Sequence, residues 1–185
     1  MTTVDEGRLT LVFDDEVWKA VKYDVPNGFA DGIKIPATKK VDILAVSTHT
    51  LMMIEVKDFR GREAGHPERF AKGGSDLIEV EIAQKVRDTV AVLLAAFRCH
   101  DSTLKPMSDH LFDRGRKSVE IVFFLERDNN VQRKVTRYRS TKTIGDAVGK
   151  LLRPFKVGCS VQNLAGGASR RGDGWSVANR PDAAS

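Results

Sequence analysis

The sequence predicts an α/β fold, and three observations carry that reading. Two apolar runs, residues 41–46 and 51–56, flank the polar segment Ser47-Thr48-His49-Thr50 and read as a β-hairpin. A long helical pattern follows over residues 76–99. A continuous apolar run over residues 119–125 then reads as a central buried strand. Strand, long helix, strand is the pattern of a right-handed parallel crossover.

In chain order, residues 1–7 are expected to be flexible, and Arg8 to Phe13 reads as a first strand. Asp14 to Asp24 fits helix or strand. Pro26 to Lys40 is a connection punctuated by Gly and Pro, and Gly61 to Gly74 is a polar loop. Gly73-Gly74-Ser75 precedes the long helix, where Asp76 and Glu79 resemble a capping box. Residues 101–117 read as another polar loop. A second helix opens near Thr143 and is stopped by Pro154. Residues 159–164 read as a last, edge strand. From Gly166 the chain is rich in Gly, Ser, Ala and Arg, so residues 166–185 are expected to be a disordered tail, with Trp175 either loose or docked on a partner. One domain over residues 8–165 results.

Within the hairpin, Asp42, Glu55 and Lys57 are charged groups set among apolar neighbours, where an unpaired charge is costly. With residues 47–50 as the loop, Asp42 falls opposite Glu55 on one sheet face. Lys57 projects to that face because side chains alternate along a strand. A slip by one residue would separate the charges. Two opposed carboxylates repel, and a divalent cation reverses the sign. Oxygen ligands completed by water and substrate phosphate suit Mg²⁺, with Mn²⁺ as the alternative. The plainer alternative is a surface hairpin with an ordinary Glu–Lys arrangement.

The pattern Asp42 then Glu55-Val56-Lys57 resembles the PD-(D/E)XK nuclease superfamily. The resemblance implies a restriction-endonuclease-like α/β core: three layers, with a central mixed β-sheet flanked by helices. It also implies a metal-dependent phosphodiesterase with Asp42 and Glu55 as metal ligands and Lys57 acting in catalysis. Val41 stands where the superfamily has its proline. Gln84 matches the glutamine that many members use to contact substrate, but Asp88 stands where they carry a tyrosine. Glu16 is the candidate for an acid that some members place on their first helix.

On the long helix Glu81, Gln84, Lys85 and Asp88 form one narrow polar stripe when projected at about 100° per residue. The stripe either faces solvent, with a Glu81–Lys85 pair, or lines the cleft that holds Asp42 and Glu55. In the second case Glu81 adds a ligand for metal or water and Lys85 faces phosphate.

The chain has 185 residues, 41% of them hydrophobic, and no apolar run long enough to span a membrane. Its start lacks the features of a signal peptide. Cys99 and Cys159 are read as reduced and buried, and a cytoplasmic location is expected. The four histidines show no metal-ligand spacing. A net charge of +5 is unevenly placed, with basic clusters at Arg60, Arg62, Arg69 and Lys72 and from Arg127 to Lys156. Such clusters suit a phosphate backbone; the alternative is a solvated basic surface. The sequence therefore leads to a nuclease with nucleic acid as its partner, DNA favoured, working alone, as a homodimer or in a larger complex. Arg60, Arg62 and Gln84 are its candidate nucleic-acid contacts. The alternative is an inactive module of the same fold that binds nucleic acid or protein.

Overall fold

The computed structural model describes residues 1–33, 37–61, 67–70, 77–113, 115, 117–127, 140–166 and 173–181. Among them are eight strands: β1 (Thr2–Glu6), β2 (Leu9–Phe13), β3 (Lys19–Lys22), β4 (Ile43–Val46), β5 (Thr50–Asp58), β6 (Ser118–Glu126), β7 (Gly158–Gln162) and β8 (Trp175–Asn179). The helices are α1 (Pro67–Phe70), α2 (Ile78–Arg98), α3 (Lys105–Phe112) and α4 (Thr141–Leu152).

The chain is α/β. A mixed five-stranded sheet has the order β3-β4-β5-β6-β7. Strands β3, β4 and β5 pair antiparallel, and β5, β6 and β7 pair parallel. The β4–β5 hairpin adopts the expected register, with Ile43 opposite Ile54 and Val46 opposite Leu51. Strands β5 and β6 pair parallel, as expected, with α1, α2 and α3 between them in sequence.

Strands that are apolar on both faces need a cover on each. Leu44, Leu51, Met53, Ile121 and Phe123 pack on one face with Ile78, Ile82 and Val86 of α2 and Ile144 and Val148 of α4. Ile43, Ile54, Val122 and Phe124 pack on the other with Leu9, Leu11, Phe13, Trp175 and Val177. That second cover is not helical. It is an antiparallel sheet of order β1-β2-β8, so the expectation of helices flanking the central sheet holds on one face only.

The same sheet corrects both ends of the sequence reading. Residues 2–6, within the segment expected to be flexible, pair with β2. Trp175 lies inside the expected tail, yet it is buried, stacks on Phe13 at 6.2 Å between ring centroids and opens a strand paired with β2. Helix α3 occupies part of the expected loop at 101–117 and buries Met107 and His110. Cys99 is exposed rather than buried, because it follows the last turn of α2, and both thiols are free. Asp76 of the expected capping box lies outside the described residues, and the helix starts at Ile78. Ser140 caps α4, its hydroxyl accepting from the Thr143 N–H at 3.1 Å. No helix among the described residues is long and apolar enough to cross a membrane.

Candidate active site

Glu55 and Lys57 leave β5 on the face that carries Leu51 and Met53, and so point toward α2. Glu55 is fully buried. Asp42 sits one residue before β4, just past the end of the regular ladder. Its N–H donates to the Ile54 carbonyl at 3.0 Å, and its Oδ2 accepts the Val56 N–H at 2.7 Å. The carboxylate therefore caps the partner strand at the position where the two acids must meet.

From α2, Lys85 reaches between them. Its Nζ lies 2.6 Å from Oε1 and 2.8 Å from Oε2 of Glu55, and 3.5 Å from Oδ1 of Asp42. Lys57 Nζ lies 3.0 Å from Glu55 Oε1 and 3.1 Å from Glu81 Oε1. Glu81 turns its other oxygen to Arg69 of α1. The result is a chain of alternating sign: Asp42, Lys85, Glu55, Lys57, Glu81, Arg69. Although Glu81 and Lys85 have i,i+4 spacing, each reaches a hairpin residue instead. Oε1 of Glu55 meets two ammoniums but no hydrogen-bond donor in good alignment.

Burial, reinforced by the nearby Asp42 charge, pushes the Glu55 carboxyl up to about 7 against the opposing pull of Lys57 and Lys85. Burial also raises Asp42, with Lys85 opposing. For Lys57 burial acts downward, but Glu55 and Glu81 outweigh it and hold the ammonium above its ordinary range. For Glu81 burial acts upward, and Lys57 and Arg69 outweigh it to lower the carboxyl.

The folded protein binds the Glu55 proton more tightly than the unfolded chain does. That contribution is fully present below the ordinary value of 4.5 and is lost as pH rises through about 7. In EDTA, urea denaturation of the wild type should lose on the order of 3 kcal/mol between pH 5 and pH 8 that Glu55→Gln does not lose. Equal slopes in the two proteins would contradict the electrostatics described above.

Asp42 and Glu55 supply carboxylate oxygens, the donor type a hard cation takes, and the position between them holds the Lys85 ammonium. Among the described residues no group of three or more His, Cys, Asp and Glu could hold a metal ion, so Asp42 and Glu55 stand as a pair. Glu81 lies beyond Lys57, bound to it and to Arg69.

Other expected contacts are placed differently. Gln84 and Asp88 line a separate groove of about 510 Å³ with Ile33 and Lys39, so the polar stripe on α2 divides between two sites. Asp88 accepts the Lys39 N–H there at 3.0 Å. Arg60 forms a two-point pair with Asp58 and donates to Asn179 at 2.7 Å. Arg8 also binds Asp58, so Arg60 braces the end of β5 against the three-stranded sheet. Glu16 stands in the exposed turn between β2 and β3, where its N–H donates to Asp14 at 3.0 Å. Arg62, Lys72, Arg133, Lys134, Arg137 and Arg139 lie outside the described residues. Arg69 is a site residue that the sequence marked only as part of a basic cluster. Its guanidinium also sits over the Phe59 ring at 5.8 Å.

No family model, curated protein or solved structure matches the chain.

Proposed function

We propose that the protein is a metal-dependent nuclease, hydrolysing phosphodiester bonds in nucleic acid, with DNA the favoured substrate. The observation that carries the reading is the convergence of Asp42, Glu55 and Lys57 on one face of the central hairpin, with Lys85 and Glu81 supplied by the next helix. The mixed sheet with this hairpin in it is compatible with a restriction-endonuclease-like core, and the motif resembles that of the PD-(D/E)XK superfamily. Buried ion networks are seldom the most stable filling for a core, which favours a functional reason for this one.

Asp42 and Glu55 would hold Mg²⁺ or Mn²⁺, which when bound polarises the scissile phosphate and acidifies water. Glu55 and Glu81 hold the Lys57 ammonium above its ordinary range, which suits it to stabilise negative charge developing on phosphate. Glu81 positions Lys57 and keeps it charged. Lys142, Lys150 and Arg153, opposed by Asp146, line an open groove of about 760 Å³ along α4 and β7, a net positive lining that suits a polyanion.

The test is incubation of EDTA-treated protein with single- and double-stranded DNA and RNA, with and without Mg²⁺ or Mn²⁺. Metal-dependent cleavage is expected; none with any substrate would overturn the reading. One observation favours a second reading. Among the described residues the three carboxylates of the network are matched by three cations, as in a purely structural cluster inside a nucleic-acid-binding module. Salt-sensitive DNA binding without any Mn²⁺ binding would select it.

A further inference from the structure

Lys85 differs from the other two cations of the network in where its partners lie. Lys57 is anchored from outside the acid pair by Glu81, and Arg69 is anchored by Glu81 and the Phe59 ring. Among the described residues Lys85 bridges Asp42 and Glu55 alone, the two residues assigned to the metal. Its side chain is 12% exposed, and its ammonium sits between their oxygens. A compact charge on a four-carbon stem can leave this position without moving the helix that carries it.

We propose that Lys85 is a built-in counterion: its ammonium occupies the cation position between Asp42 and Glu55, and a divalent ion enters by exchange with it. This rests on the metal-site reading given above. The exchange explains how two buried, mutually repelling acids are tolerated before metal arrives. It also makes metal affinity depend on the fraction of molecules in which the ammonium has withdrawn. The apparent dissociation constant equals the intrinsic one divided by that fraction. Entry of the ion then releases an ammonium beside the metal, where phosphate would bind. A resident ammonium also screens the site against weakly bound monovalent ions, because they offer the carboxylates no more charge than Lys85 does.

The test uses the full chain and Mn²⁺. Calorimetric titrations of wild type, Lys85→Met and Lys57→Met are compared at one pH. Lys85→Met should bind Mn²⁺ about tenfold more tightly than wild type, or better. Lys57→Met should gain clearly less, since it leaves the bridging ammonium in place. A second measurement needs no variant. Reductive methylation of wild type, read by mass spectrometry, should label Lys85 slowly without metal and about tenfold faster at Mn²⁺ saturation. Equal affinity in Lys85→Met and wild type, an equal gain in Lys57→Met, or Lys85 labelling unchanged at saturation would overturn the counterion role while leaving the metal site standing. Absence of Mn²⁺ binding in every protein would overturn the metal-site reading itself.

Discussion

Glu55→Gln and Asp42→Asn should each lower metal-dependent cleavage by on the order of a thousandfold or more while the protein remains folded. Both substitutions keep shape and remove charge. In Asp42→Asn the amide oxygen can still accept the Val56 N–H, so the strand end stays capped. In Glu55→Gln the lost charge is one that burial and Asp42 already disfavour, so the neutral form is close to what the folded protein accepts near pH 7. Lys57 retains Glu81 as a partner, and Lys85 retains Asp42. Denaturation midpoints near wild type, together with lost activity, are therefore expected. Full activity in the purified double variant would exclude these acids from the chemistry.

Trp175→Ala should destabilise the protein by about 3 kcal/mol, and removal of residues 173–185 should cost more still. The indole lies in the core between the two sheets, stacked on Phe13. Strand β8 also pairs with β2 from Leu9↔Asn179 to Phe13↔Trp175, so its removal would leave β2 as an unpaired edge. The Trp18 indole N–H donates to the Asp173 carbonyl at 2.7 Å, a second tie lost with the segment. Urea denaturation reads both variants. A truncated protein as stable as wild type would mean that β8 adds nothing to the fold.

How much of this was legible depends on the range of the interactions involved. The hairpin register is local: a polar turn joins two apolar runs, and a slip would bury the wrong face. Asp42, Glu55 and Lys57 could therefore be placed together from spacing alone, whereas the helical stripe left Glu81 and Lys85 open between the cleft and a solvated face. The stripe could not show that α2 turns Gln84 toward a different groove, because that depends on how the helix is rotated over the sheet. Strand β8 pairs with residues at the opposite end of the chain, and its flanks are rich in Gly, Ser and Arg, which is also the composition of disordered segments. Helix α3 is too short for its periodicity to stand out. Arg60 shows what charge counting misses. Whether an arginine faces phosphate or a carboxylate is decided by tertiary neighbours, here Asp58 and Asn179.

The antiparallel cover on the second face of the sheet lies away from the site. Every member of the ion network lies on the α-helical side, and the β1-β2-β8 sheet supports β5 from behind. Asp58 shows how the two faces join. It follows Lys57 directly, yet it is bound by Arg8 and Arg60 rather than by the network, and those guanidiniums hold its carboxyl below the usual range despite burial.

The central claim is that Asp42 and Glu55 form a site for a hard divalent ion. A crystal of the protein soaked in Mn²⁺ and measured at a wavelength where manganese scatters anomalously tests it most directly. The expected result is an anomalous peak between the two carboxylates, with the Lys85 ammonium displaced. Asp42 and Glu55 still bridged by Lys85 at saturating Mn²⁺, with no peak between them, would contradict it.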